Sequence, residues 1–228
     1  SSNVSLSAGY TLQFADGTGS SPISSQSLVS QGQPDLKVML PMAFDQRHTI
    51  KAIFNYGFKP GKKYIGPDWN GRGRSILGGV SANIVSKISS GRPYTGQSNF
   101  TPEGNITGRE RRALDGLING NRLPWIYTSD IRLTKKFVFG IKKGATYKFK
   151  TELYCLVKNL FNTKNIVVVY SATGNAEDDG YLDAATSQPQ IESQLNYESY
   201  TDLYSLKIAN PENYALPRQI RIGFVMTF

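Results

Sequence analysis

Residues 218–228 read RQIRIGFVMTF, and this stretch decides the fold class because its apolar and polar side chains alternate. One set of alternate positions is entirely apolar: Ile220, Ile222, Phe224, Met226 and Phe228. The positions between them are mostly small or polar: Gln219, Arg221, Gly223, Val225 and Thr227. A period of two residues is typical of a β-strand whose two faces meet different surroundings.

Five further segments share this alternation and are predicted to be strands. They span residues 4–14, 49–58, 76–88, 127–139 and 145–157. The six predicted strands are roughly 10 to 13 residues long, whereas strands of globular proteins usually have about 5 to 6. Their length matches the roughly 9 to 11 residues with which a tilted strand crosses a bilayer.

The predicted connections alternate in length. Residues 16–45, 90–124 and 160–217 form three long segments, 59–75 is of medium length and 140–144 is short. Membrane barrels have long extracellular loops and brief periplasmic turns, whereas a soluble sandwich has no reason to sort its connections in this way. The pattern therefore predicts an all-β fold, in which about six strands belong to an antiparallel transmembrane β-barrel.

Composition excludes several other classes. The chain has no run of the roughly 18 to 20 apolar residues that a membrane helix needs. It begins Ser1-Ser2-Asn3 without an export signal, so it is expected to be either cytosolic or a processed or partial chain. Its single cysteine, Cys155, and single histidine, His48, allow neither an internal disulfide nor a zinc site.

The net charge of +9 raises nucleic acid or an anionic membrane surface as a partner. Most lysines and arginines are scattered, and no βαββαβ order accompanies the final strand, so no nucleic acid is expected. Aromatic residues near strand ends are instead typical of the girdles at membrane interfaces. The candidates are Phe58, Trp125, Tyr127, Phe137, Phe139 and Phe228.

A series of short motifs occurs in a characteristic order along nearly the whole chain. They are YTL (10–12), ADGTGS (15–20), FDQRHT (44–49), SGRPYT (90–95), NRLPW (121–125), NLFNTKN (159–165), TG (173–174) and DDGYL (178–182). In this order, before a strand ending in Phe228, they resemble the TonB-dependent outer-membrane receptors, in the branch common in gliding and polysaccharide-using bacteria. The last eight residues, with Phe224, Met226 and Phe228, also resemble the signal by which such barrels are recognised for insertion.

The resemblance implies a barrel of 22 strands around an N-terminal plug, driven by a TonB-type energy-coupling protein of the inner membrane. Six strands cannot close a membrane barrel, because eight is the practical minimum. Residues 1–228 would then be the C-terminal part of the barrel domain, without plug or remaining strands. The implied location is the outer membrane of a Gram-negative bacterium. The implied partners are outer-membrane lipid, the rest of the barrel, the plug, the energy-coupling protein, and a surface lipoprotein or envelope complex.

Substrate is expected to bind in the long segments 16–45, 90–124 and 160–217. Arg109, Arg111 and Arg112 form the one dense basic cluster and could grip anionic sugar or lipopolysaccharide phosphates. The alternative is a solvated run of loop charges.

The acidic segment near residue 180 has a spacing similar to that of a calcium loop, with Glu177, Asp179 and Asp183 as candidate ligands beside Asn175 and Gly180. Thr186 stands where the closing carboxylate would fall, so a solvated acidic loop is the alternative. No other cofactor is expected.

Asp45-Gln46-Arg47-His48 contains acid and base groups, yet no nucleophile lies in a recognisable frame around it. A local hydrogen-bonded clamp at the barrel rim is the favoured interpretation. No Ser-His-Asp order, phosphate-binding glycine loop or catalytic carboxylate pair is apparent, so no enzyme is expected. The leading hypothesis is a segment of a substrate-import receptor. The alternatives are a structural barrel subunit of an envelope complex and a soluble β-rich surface-binding module.

Overall fold

Six long antiparallel strands form one sheet. The computed structural model describes residues 3–21, 38–59, 77–98, 114–140 and 148–227, with a few single positions between these ranges. The strands are β1 (Val4–Leu12), β2 (His48–Gly57), β3 (Val80–Ser89), β4 (Ile126–Gly140), β5 (Lys148–Lys158) and β6 (Gln219–Thr227). Each strand pairs with the next one along the chain, so the sheet is a simple meander. All six predicted strands are confirmed, with ends that differ by a few residues.

The sheet is open at both sides. Within the described residues, β1 and β6 each have one strand neighbour and do not pair with each other, so these strands form no closed barrel. The mostly antiparallel all-β architecture is therefore established.

The strand register places the predicted apolar positions on one face. One row crosses all six strands with an apolar residue at every step: Leu6, Phe54, Ile84, Ile131, Val157 and Ile220. This surface, the apolar face, is incompletely covered: on the edge strands Leu6 is 69% exposed and Ile222 82%, whereas Leu133 in the middle of the sheet is 45% exposed. Two hydroxyls on the face, those of Ser86 and Ser129, bond to each other at 2.9 Å.

The opposite surface, the polar face, is held together by side-chain hydrogen bonds across the strands. The Asn55 amide donates to Ser5 Oγ at 3.2 Å, and the Asn83 amide donates to Asn55. Arg132 donates to the Glu152 carboxylate at 3.0 Å, and its guanidinium lies over the Tyr154 ring. Ile53, Val85 and Leu156 also lie on this face, but most of its positions are polar or small, so the two faces differ in chemistry.

The buried hydrophobic cluster lies outside the sheet, in the connection between β5 and β6. Helix α1 (Gln188–Glu192), helix α2 (Tyr197–Ile208) and a 3-10 turn (Pro211–Asn213) occur there. Tyr181, Ile191 and Tyr204 form its buried centre. These helices were not predicted from the sequence. In the described part of the chain, no helix is long and apolar enough to cross a bilayer.

Because the sheet is a meander, successive connections lie alternately at its two ends. The strand ends that are joined by residues 13–47, 90–125 and 159–218 lie at one end of the sheet, here called the loop end, whereas the strand ends that are joined by 58–79 and 141–147 lie at the other. The alternation of long and shorter connections is confirmed. The extracellular position of the loop end stays a prediction.

Gly91 is essential for the approach of two long connections. A Cβ atom at this position would lie 1.7 Å from the Leu123 carbonyl oxygen. We expect Gly91→Ala to lower the free energy of unfolding by about 1–3 kcal/mol or more, because the clash is with backbone and cannot be relieved by a side-chain rotation. The measurement is a urea titration of the intact protein, followed by tryptophan fluorescence.

The matched control is Gly9→Ala, since a Cβ at Gly9 would meet no atom within 4 Å. This variant should unfold within about 0.5 kcal/mol of the parent protein. Equal stability of the two variants would contradict the close approach at Gly91.

Candidate functional site

Asp45 is a fully buried carboxylate at the loop end of the sheet. Its Oδ1 atom accepts the Ala15 backbone N–H at 3.1 Å. Its Oδ2 atom pairs with the Arg122 guanidinium and lies 3.5 Å from Arg47 Nε. We call these three side chains, Asp45, Arg47 and Arg122, the Asp45 clamp.

Arg122 joins two long connections through this clamp. Besides pairing with the carboxylate, its Nη1 atom donates to the Asp45 carbonyl oxygen at 2.9 Å and lies 3.5 Å from the Gly91 carbonyl oxygen. A guanidinium carries five donors in a fixed fork, so one side chain can satisfy several acceptors at once. The connection before β2 is thereby held against the connection between β3 and β4.

The electrostatics of the clamp favour the charged carboxylate. Burial alone would raise the pKa of Asp45, but hydrogen bonds from Arg122 and Ala15, together with the charges of Arg122 and Arg47, lower it below its usual value. A carboxylate that accepts donors in its ionised form is stabilised in that form. Asp45 therefore acts as a structural anion.

The residues following Asp45 extend the hydrogen bonding. Gln46 donates to Ser89 Oγ at 3.2 Å and to the Ser90 carbonyl at 3.1 Å, while the His48 N–H donates to Ser90 Oγ at 3.0 Å. The predicted hydrogen-bonded clamp at residues 45–48 is thus confirmed as local geometry. The His48 ring stacks between Tyr10 and Trp125, with centroid distances of 6.1 and 5.9 Å.

A cavity of about 310 Å³ opens beside the clamp. Its lining is uncharged and comes from two long connections: Gly17, Thr18, Gly19, Ser20, Leu40, Pro41, Met42, Ala43, Ile118 and Asn119. The Asn119 amide donates to the Pro41 carbonyl at 2.8 Å, and its backbone N–H donates to Thr95 Oγ1 at 3.0 Å. Asn119 has a φ of 57°, a left-handed conformation that asparagine tolerates better than most residues.

The third long connection contacts the second one and strand β4. The Gln97 N–H donates to the Ser171 carbonyl at 3.0 Å. The buried Asn165 side chain bonds both backbone groups of Tyr127, accepting at 2.9 Å and donating at 2.8 Å. The structure therefore brings together described parts of all three segments predicted to bind substrate. A concave, mostly apolar site with a few fixed polar groups is the usual form of a small-molecule site.

The motif at residues 159–165 forms a hydrogen-bonded turn that follows strand β5. Asn159, with a φ of 51°, accepts the Thr163 N–H through its side chain at 2.9 Å, and its own N–H donates to Asp130 at 2.9 Å. Asn162 accepts the Arg218 N–H at 3.0 Å. These contacts fix the end of β5 and the approach to β6, and they involve no group free for chemistry.

The predicted calcium ligands are placed apart. The Glu177 carboxylate accepts the Tyr214 hydroxyl at 2.6 Å, and this hydrogen bond is the main cause that raises the pKa of Tyr214. Asp179 is buried and accepts the Tyr204 hydroxyl at 2.5 Å, whereas Asp183 is exposed. In the part of the chain that the structure describes, no three acidic, histidine or cysteine side chains are grouped to hold a metal. Calcium binding stays a prediction.

The other predicted residues belong to the assembly signal, the arginine cluster and the aromatic girdles, and only some of them lie within the described residues. Phe224 and Met226 of the predicted assembly signal lie on the apolar face of β6. Phe228 and the arginines at 109, 111 and 112 lie outside the described residues, as does the side chain of Phe139. Trp125 and Tyr127 are exposed near the start of β4. The aromatic girdle stays a prediction.

Sequence reasoning missed Arg122, Ser20 and Asn119 as residues of this site. Arg122 is 77 residues away from Asp45 in the sequence, and no local sequence pattern indicates that the two residues pair. The small residues at 17–20 belong to the motif ADGTGS (15–20), and their low side-chain volume is the signal that could have indicated a cavity. Comparisons with protein-family models, curated proteins and solved structures found no match to this chain.

The lowered pKa of Asp45 makes the stability of the fold depend on pH. Because the folded pKa lies below the unfolded value of 3.8, ionised Asp45 stabilises the fold above that value, and the contribution is lost as pH falls through the folded pKa. We expect Asp45→Asn to lower the free energy of unfolding by about 1–3 kcal/mol at neutral pH. The difference from the parent protein should shrink below about pH 4.

The measurement is urea unfolding across pH, with the exposed Asp183→Asn as the matched control. A parent protein and an Asp45→Asn variant with a constant difference in stability down to pH 2 would rule out the carboxylate charge as the cause.

Proposed function

We propose that this chain is the C-terminal wall of an outer-membrane β-barrel of the TonB-dependent receptor type, with its loop end receiving cargo. The observation that carries the proposal is the apolar face, which spans six strands and is covered by little of the described chain. Import energy would be supplied by segments that these residues do not include.

The apolar face needs a cover. Burying one large aliphatic or aromatic side chain is worth about 1.5–3 kcal/mol relative to leaving it in water, and this face carries many such side chains. A soluble sheet would cover the face with helices or a second sheet. Here the described helices build their own small core at the loop end, so lipid is the cover that fits the face best.

The exceptions on the apolar face also suit a bilayer. Lys135 lies on this face near the end of the shorter connections, and its ammonium donates to the Gly78 carbonyl at 2.8 Å. A long cationic side chain can keep its stem in hydrocarbon while its head reaches the interface. The rings of Tyr10, His48 and Trp125 occupy the opposite end of the same face, where an aromatic girdle would lie.

The polar face then points into the lumen, and the open edges of β1 and β6 require further strands. Unpaired strand edges cannot face lipid, because their backbone groups would lack hydrogen-bond partners. A barrel of the 22-stranded type supplies those strands. A structural barrel subunit would have the same wall, but the cavity between the long connections favours a receptor.

The test uses neighbouring residues on opposite faces. A nitroxide spin label is attached at Ile222→Cys or at Arg221→Cys in a Cys155→Ala background, and the intact protein is reconstituted in lipid vesicles. We expect the label at 222 to collide mainly with oxygen, which dissolves in lipid. The label at 221 should collide mainly with a water-soluble nickel chelate.

If the label at 222 is as accessible to the nickel chelate as the label at 221, or is shielded from both reagents in plain buffer, the membrane wall is refuted. Import is distinguished from scaffolding by the reading frame upstream. A receptor requires a plug with an energy-coupling segment there, and a scaffold does not.

A further inference from the structure

Two lysines lie side by side on the polar face of the sheet. Lys51 of β2 is the register partner of Lys87 of β3. Directly opposed residues of antiparallel strands have Cβ atoms about 4.5–5.5 Å apart, and like-charged side chains in opposed positions destabilise the pair. The sheet therefore places two positively charged side chains next to each other.

The rest of the same row carries no charge. Gly9 is the partner of Lys51 on β1, and Thr128 is the partner of Lys87 on β4. Among the described residues, neither ammonium forms an ion pair with a carboxylate. The repulsion between the lysines thus has no counter-charge within this part of the chain.

The carboxylates of the polar face are engaged elsewhere in the described strands. Glu152 pairs with Arg132 at 3.0 Å and with Lys136 at 3.8 Å. Asp130, which lies one row away from Lys87, accepts the Asn159 N–H at 2.9 Å. Either carboxylate would have to give up its present contact to serve the lysine pair.

The surroundings leave room for a ligand. Both lysine side chains are exposed, and no atom lies within 4 Å of the place where a Gly9 Cβ would stand. The Thr128 side chain lies on the same face beside Lys87 and brings a hydroxyl. The row Gly9, Lys51, Lys87 and Thr128 is thus a cationic spot with open space at one side and a hydroxyl at the other.

We propose that Lys51 and Lys87 form a binding site for a doubly charged oxyanion, such as the phosphate group of a soluble ligand. Such an anion would neutralise both ammonium groups and accept charge-assisted hydrogen bonds from each. The site lies on the polar face and holds whichever surface covers the apolar face, so its test is independent of the membrane assignment.

The test measures the thermal midpoint of the intact protein at about pH 8, where phosphate carries close to two charges. Inorganic phosphate is compared with sodium chloride at equal ionic strength. We expect phosphate to raise the midpoint more than chloride does. Lys51→Met and Lys87→Met, which keep the side-chain length without the charge, should each abolish that difference.

The matched control is Lys150→Met, because Lys150 is an exposed lysine of the same face whose register partners, Val138 and Thr227, are uncharged. It should retain the phosphate effect. Without phosphate at low ionic strength, Lys51→Met should melt higher than the parent protein because the repulsion is gone. A phosphate effect no larger than that of chloride, or one that Lys51→Met retains, would overturn the proposal.

Discussion

The whole structure depends on one constraint, which is that the six-stranded sheet has an apolar face and a polar face and must meet a different medium on each. In most soluble domains a sheet of this kind is stable because other elements cover the apolar side. In the described chain that layer is missing: the apolar side chains of the edge strands β1 and β6 are largely exposed, and those of the central strands are half-buried. The partner of the apolar face has to be found outside these residues, and the register makes it a surface as wide as the sheet.

The loop end obeys a second constraint, because long connections carry backbone groups that still need hydrogen-bond partners. The Asp45 clamp and the side chain of Asn165 provide several of them, and both reach across connections that are distant in sequence. These hydrogen bonds link the connections at the loop end, and the cavity lined by Ser20 and Asn119 lies between two of the linked connections. The hydrophobic cluster around Tyr204 lies within a single connection.

The sequence could predict the six strands, their two faces and the alternation of long and shorter connections. The reason is that a period of two can be seen within each segment, without knowing which strand pairs with which. The helices at 188–208 could not be predicted in the same way. Only the side of α2 with Tyr200 and Tyr204 packs inward, while Leu203 and Leu206 stay exposed, so no clear amphipathic stripe marks the segment. The spacing at 175–183 predicted ligands, yet Tyr204, distant in sequence from Asp179, accounts for that carboxylate. The pairing of Arg122 with Asp45 and that of Lys51 with Lys87 likewise join residues that are distant in sequence. Such pairings can be identified only from the three-dimensional structure.

Within the described residues, the outer edges of β1 and β6 have no strand neighbour, and this has a consequence for folding. Each of these two strands is nine residues long and carries alternating apolar side chains. An edge of this type is a template for adding strands from any neighbouring chain, which is the route to amyloid-like stacking. Unless the two edges are covered before unfinished chains meet, they can pair with the wrong partner, so the moment at which they are covered matters as much as the final shape.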